Sequence, residues 1–421
     1  MIGLMSDRTD ERATPRDVRM HGFSQRAEVG AALKWIDEHA GPLGAGFVSL
    51  DDAPGRVLAV PVTAPIDVPA FDRSAMDGYA LHAHETSGAS DYHPLAFAIV
   101  GQALPGRPFD GTVASGTAVR VMTGAPVPEG ADAIVPAEFA ESREEEVSVT
   151  LAVGPGKHIG TRGEDIKAGE LVLSAGRRLR AQDVGLLGSL GISKVSVNER
   201  PRVRLIVTGD EIVEPGEPKG IHQIYDANSS MLRAVVARDG GVIERRCKLV
   251  DDPAAIREAL AAPGADVILV SGGSSVGTED HAPRLLAELG ELAIHGVAMR
   301  PSSPAGLGRI GDALVFLLPG NPVSCLCAYD FFAGRAIRLL GGRPPEWPHR
   351  AKQGVLTRKI ASAIGRVDYC RVRCVDDQVE PLALSGASIL SSTTRADGFV
   401  IVPGESEGYG PGTPVVVYLY E

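Results

Sequence analysis

Aromatic residues make up only 5% of this 421-residue sequence, so its cores must be built mainly from Val, Leu, Ile and Ala. Cysteine is scarce as well. There are five, Cys247, Cys325, Cys327, Cys370 and Cys374, an odd number without a Cys-x-x-Cys pair. That argues against a disulfide framework and for a reducing compartment, where they serve as small buried hydrophobes. Cationic runs are missing too. The 42 basic residues are scattered among 53 acidic ones, and the net charge of −11 excludes a general attraction to nucleic acid or anionic lipid. The longest apolar stretches, VILV before Ser271 and LVFLLP ending at Pro319, fall far short of the roughly 18 residues a membrane span needs. The first 22 residues have neither an apolar signal core nor the acid-poor pattern of a transit peptide, since they carry Asp7, Asp10, Glu11 and Asp17. A cytoplasmic protein with a frayed tail over residues 1–23 is expected. Of ten histidines only His82 and His84 lie close together, with no Cys/His set around them, so no zinc site is predicted.

What is abundant is glycine and proline, 50 and 30 residues, which implies many turns and short strands. Residues 24–40 predict a first helix. From 45 to 200 the texture is Val-, Pro- and Gly-rich and reads as strands and extended segments, interrupted by one helix at 181–190. The style changes at Pro201. RVRLIV, the strand at 242–249, DVILVSGG and LVFLL alternate with helices at 228–239 (capped by Asn228), 253–261 and about 281–289, and a last helix runs on from Val323. Strand alternating with helix over about 140 residues predicts a doubly wound, mostly parallel α/β sheet. GGRPPEWPH (341–349) reads as a linker, and four strand-like runs follow it. The expected fold is therefore multi-domain α/β plus β, with a β-rich irregular first half, the sheet domain and a small C-terminal all-β domain. The boundaries drawn are 24–71 with 166–200, an inserted 72–165, 201–345 and 346–421.

In a parallel sheet, ligands bind beyond the carboxyl ends of the strands. Three such ends carry unusual loops: Thr208-Gly209-Asp210-Glu211, Ser271-Gly272-Gly273 leading to Asp280, and Pro319-Gly320-Asn321-Pro322-Val323-Ser324 entering a helix. Glycines let backbone N–H groups approach an anion, and a helix N-terminus adds a favourable dipole. Glu211, Asp251 and Asp280 are oxygen ligands of the kind Mg²⁺ prefers when it bridges to phosphate. The residues alone predict a site for a phosphorylated or oxyanionic small molecule.

The segments FDRSAMDGYA (71–80), MTGAPVPEGADAIVP (122–136), RGEDI (162–166), TGDE (208–211), SGGSSVGTED (271–280) and LPGNPVS (318–324) occur in this order. In combination they resemble the MoeA family, the molybdopterin molybdenumtransferases, whose eukaryotic relative is the gephyrin E domain. The resemblance runs from about residue 24 to the C-terminus. It implies an elongated homodimer of four-domain chains whose active cleft is shared between the first-half region of one subunit and the sheet domain of the other. It implies an enzyme that takes adenylylated molybdopterin and molybdate, releases AMP in a Mg²⁺-dependent step and leaves molybdenum on the pterin dithiolene. Contacts with molybdopterin adenylyltransferase and with acceptor molybdoenzymes go with that role. By motif matching, Asp77, Thr123, Asp165, Glu211, Asp251 and Asp280 are the catalytic candidates, the last three also as Mg²⁺ ligands. Ser271, Gly272, Gly273, Arg300, Ser302, Ser303, Pro319, Gly320, Asn321, Pro322, Ser324 and Arg371 are the substrate-binding candidates, with the loop Ser385–Ser392 closing the oxyanion pocket. Adenylyl transfer to molybdopterin and a gephyrin-like scaffold are the alternatives.

The sequence departs from the family at one loop. Where members commonly carry Lys-Pro-Gly-Lys-Pro, this chain has Arg300-Pro301-Ser302-Ser303-Pro304, and Gly296 stands where another Lys is often found. Arg300 with the hydroxyls of Ser302 and Ser303 is left to hold an oxyanion, Arg offering a bidentate fork.

Overall fold

The computed structural model describes residues 26–272, 281–383 and 386–420. The chain divides into two compact units, one of residues 47–197 and one formed by the segment up to Gly46 together with everything from Asn198 onward.

The larger unit is built on a six-stranded sheet. Its order is Val242–Leu249, Arg202–Thr208, Val267–Ser271, Ala313–Leu318, Gly306–Ile310, Glu291–His295. The first four strands are parallel, and Gly306–Ile310 runs antiparallel to both Ala313–Leu318 and the edge strand Glu291–His295. The central strands read as unbroken apolar runs because both faces are covered. On one face Val203, Leu205, Leu269 and Phe316 pack with residues of helices Val29–His39, Asn228–Asp239 and the helix from Pro322 to Leu340. On the other, Ile206, Ile268, Val270 and Val315 meet helices Pro253–Ala261 and Ala282–Leu289. This is the doubly wound arrangement expected.

Three local expectations give way. The first helix, grouped from the sequence with residues 41–71 and 166–200, buries Val29, Ala32 and Ile36 in the core of the α/β domain instead. The 341–349 segment is no loose linker: Trp347 donates its indole N–H to the Asp330 carbonyl (3.0 Å) and sets its ring edge-on against Phe331, Phe399 and Tyr418. Asn228 does not cap its helix. Asp226 does, accepting the Ser229 N–H at 2.9 Å, which leaves the Asn228 amide for another task.

The C-terminal strands close into a five-stranded barrel. Val367–Val375 pairs with Gln378–Ala383 and Gly398–Val402, and the ring is completed through Ala351–Leu356 and Pro414–Leu419. The two-residue strand Met299–Arg300 adds to this barrel alongside Val367 and Asp368. Tyr369 and Phe399 of the barrel belong to the same buried cluster as Phe331 and Phe332 of the α/β domain, so no water layer separates the two.

The smaller unit centres on a six-stranded sheet in the order Ala133–Pro136, Gly78–Leu81, Thr117–Val121, Leu95–Ala103, Glu146–Val149, Ala140–Arg143. It has small apolar cores on both faces. The helix Ala181–Ser189 covers a further core around Leu58, Leu173 and Val197.

Candidate active site

The parallel strands end at Thr208, Leu249, Ser271 and Leu318, and their loops open along one edge of the sheet. A cavity of about 710 Å³ lies there, lined by Thr208, Glu211, Asp251, Ser271, Gly272, Pro319, Gly320, Asn321 and Pro322 among others. Eight sequence-predicted residues thus meet in one place. Gly272 is required: its φ is +96°, and a Cβ there would stand 2.4 Å from the Thr208 carbonyl oxygen. Ser271 is buried, and its hydroxyl accepts from Asn228 Nδ2 (2.9 Å), which also donates to the Gly320 carbonyl (2.7 Å). One amide therefore ties the Ser-Gly-Gly loop to the Pro-Gly-Asn-Pro loop. The sequence reading gave Asn228 only a capping role, and a separation of 43 and 92 residues from its partners left no local signal of this one.

The electrostatics of this edge are acidic. Burial, helped by the nearby Asp210 and Glu211 charges, pushes the Asp251 carboxyl above its ordinary value. Asp226 sits on the same cavity wall. Burial works against its ionisation, but bonds from Ser229 and Arg246 outweigh it and hold the carboxyl below the usual range. Beneath the floor, burial pushes the Cys325 thiol up to about 12, so it stays protonated. Gly273 and Asp280 lie outside the described residues, and among the described residues no cluster of three or more His, Cys, Asp or Glu is arranged to hold a metal. Glu211 and Asp251 nonetheless fit a hard cation, because crowded carboxylates are what a divalent ion relieves.

A second cavity, about 770 Å³, shares Pro304, Pro319 and Asn321 with the first. It gathers Arg300, Ser302, Ser303 and Ser324, as expected for the oxyanion loop. Three details differ from expectation. The Ser302 hydroxyl is spent on the Ser324 carbonyl (2.5 Å), and Ser302 holds φ +88°, a left-handed conformation that favours glycine. Arg371 is fully buried and lines neither cavity, because the strand alternation turns it inward. The helix starting at Pro322 does not offer all its free N–H groups to a ligand either: Val323 N–H donates to the Ala387 carbonyl (2.9 Å). The loop that supplies this cap places Ser388 and Leu390 on the first cavity and Gly386 and Ala387 on the second, while Ser385 is outside the described residues.

In the smaller unit, Gly78 and Val121 are directly opposed in neighbouring antiparallel strands. Asp77, just before one strand, and Thr123, just after the other, are thereby brought together. Thr123 donates its backbone N–H (2.6 Å) and its hydroxyl (2.7 Å) to Asp77 Oδ1, and these two bonds hold the carboxyl below its ordinary value. Asp165, whose own N–H donates to the Val68 carbonyl (3.1 Å), is not hydrogen-bonded to either.

Three family models match in succession: "MoeA N-terminal region (domain I and II)" over residues 27–191, "Probable molybdopterin binding domain" over 204–338 and "MoeA C-terminal region (domain IV)" over 353–420. The chain belongs to the MoeA family. It is 36% identical over 383 residues to molybdopterin molybdenumtransferase 2 of Mycobacterium tuberculosis, covering 88% of this chain and 94% of that one. It is 30% identical over 398 residues to the molybdopterin molybdenumtransferase of Haemophilus influenzae, covering 92% and 96%. The crystal structure of the MoeA molybdopterin biosynthesis protein of Pyrococcus horikoshii superposes with a TM-score of 0.82 at 31% identity, over 94% of this chain and all of that one. No helix among the described residues of this MoeA-family chain is long and apolar enough to cross a membrane.

Proposed function

We propose that the protein is a molybdopterin molybdenumtransferase, a transferase that inserts molybdenum from molybdate into adenylylated molybdopterin and releases AMP. The observation that carries this reading is the pair of adjoining cavities in a MoeA-family chain, one edged by carboxylates and the other by arginine and hydroxyls. The first suits a phosphate-bearing ligand positioned by the Gly272 and Gly320 backbone. The second suits a tetrahedral dianion, which needs cations and hydroxyl donors as phosphate does. Because the molybdenum is taken up by the thiolates of its substrate, the protein needs no cysteine or histidine ligand set, and its buried thiols are accordingly protonated.

Glu211 and Asp251 would hold Mg²⁺, together with Asp280. When bound, that ion offsets phosphoryl charge as the adenylate bond breaks. The protein's own groups orient the reactants: Asn228 fixes the spacing of the two phosphate-facing loops, and Arg300 holds the oxyanion. Asp77, kept ionised by Thr123, is a ready hydrogen-bond acceptor for a ligand N–H or O–H. The enzyme acts as a cytoplasmic homodimer, the state the family resemblance implies.

The test is incubation of the purified protein with molybdate and adenylylated molybdopterin, with and without Mg²⁺. AMP release with cofactor formation, dependent on Mg²⁺, is expected. Consumption of ATP with molybdopterin would instead make the chain an adenylyltransferase, and neither reaction would leave it a scaffold.

A further inference from the structure

We propose that Arg366 is a second oxyanion-binding cation of this cavity, held beside Arg300 on the buried carboxylate of Asp368 as a paired arginine clamp. This rests on reading that cavity as the molybdate subsite. The residues Pro301–Pro304 bring no charge of their own to it, so the charge must come from elsewhere.

The cavity is lined by Arg26, Arg300 and Arg366, and among the described residues no carboxylate stands on its wall. Asp368 lies behind the wall with its side chain at 0% exposure. Arg300 points Nε (3.1 Å) and one terminal nitrogen at the two oxygens of this carboxylate. Arg366 brings its Nε to within 3.2 Å of Asp368 Oδ1, and Ser362 donates its hydroxyl to Oδ2 (2.7 Å). A single negative charge thus anchors two guanidinium groups, leaving one surplus positive charge. Arg300 and Arg366 keep 30% and 35% of their side-chain surface while Asp368 keeps none, so the arginines are the accessible part of the cluster.

Two consequences follow for an anion. The stems of both arginines are already ordered by Asp368, so less side-chain freedom is lost when an oxyanion arrives. Each guanidinium has five N–H donors; Arg300 spends two on Asp368, and Arg366 approaches it as an ion pair with its Nε making no hydrogen bond, so donors remain for a tetrahedral ligand. Ser303 Oγ is buried with no hydrogen-bond partner, a further donor on the same wall. The register explains why Arg366 has this role: it lies in the turn just before strand Val367–Val375, whose first two residues run beside Met299 and Arg300. The bland alternative is that Arg366 only neutralises Asp368.

Equilibrium dialysis of the full-length protein against molybdate, with AMP binding measured in parallel as a control on the neighbouring cavity, separates the two. Arg366→Gln should weaken molybdate binding about tenfold while AMP affinity stays at the parental value, since losing a charge-assisted contact has roughly that effect. Arg366→Lys should recover most of the loss, because charge is restored without the fork. Parental molybdate affinity in Arg366→Gln, with a loss in Arg300→Gln, would overturn the clamp and leave the proposed function standing. Equal loss of AMP and molybdate binding in both Arg366 variants would assign Arg366 a structural role and overturn it as well. A parental protein that binds no molybdate would remove the oxyanion reading and the clamp with it.

Discussion

At the scale of single residues, charge crowding decides what the sheet edge can hold. Asp251 is pushed up chiefly by burial and further by Asp210 and Glu211, so its ionised form is penalised in the folded protein. A carboxyl whose folded value is raised costs stability above that value, and the cost vanishes as the pH falls below the unfolded value. Asp251→Asn should therefore raise the melting temperature at neutral pH, and the gain should disappear on acidification into the ordinary carboxylate range. The same variant should lose Mg²⁺-dependent AMP release, because an amide is a poor ligand for a hard cation. Melting curves between pH 4 and pH 8, with and without Mg²⁺, read both effects. A variant that melts lower than the parent at neutral pH, yet turns over normally, contradicts this account. Glu211 and Asp251 were legible in the sequence because each lies in the loop just beyond the end of a parallel strand. Asn228 was not, since its amide bridges two loops that are 43 and 92 residues further along the chain.

At the scale of elements, Arg204 shows how a polar residue earns a place in a central strand. It is 1% exposed in Arg202–Thr208, where its neighbours are apolar. Its guanidinium donates to the carbonyls of Ala259 (3.3 Å), Ala262 and Pro263 (2.7 Å), at the end of helix Pro253–Ala261, and pairs with Glu244 (3.3 Å). A helix end leaves its last carbonyls without partners, and a buried cation satisfies them while complementing the dipole. Arg204→Met, which keeps the bulk but none of the donors, should cost about 3 kcal/mol because several acceptors are left buried and unpaired. Urea unfolding midpoints measure the difference, and Arg204→Lys should recover only part of it, lacking the fork. A methionine variant as stable as the parent would show that water replaces the guanidinium. The opposite end of helix Pro253–Ala261 follows ordinary rules, with Asp252 accepting from Ala254 and Ala255 and Pro253 at the first position.

At the scale of the whole molecule, the barrel and the α/β domain share one core. Phe399 stacks on Tyr369 at 4.2 Å between ring centroids, and Trp347 meets it edge-on at 5.4 Å. Phe399→Ala should cost about 3–5 kcal/mol, as truncation of a buried aromatic does. Because the cluster is shared, hydrogen exchange should accelerate together in Val267–Ser271 and Val367–Val375. Faster exchange confined to the barrel would show that the two unfold separately. The shared core also bears on function, since Met299–Arg300 is paired to the barrel and the oxyanion wall takes residues from both sides of that pairing.

The sequence by itself determined the α/β alternation, the three loops at the carboxyl edge and the ordered set of motifs that marks the family, because apolar period and loop chemistry are local properties. Only the tertiary structure decided the rest. It put the first helix against the sheet, drew Trp347 out of an expected linker into the core and turned Arg371 inward. It also set Arg366 beside Arg300. Each of these depends on which strands become neighbours and on which face a side chain falls. Register across distant segments fixes both, and no window of the sequence records it.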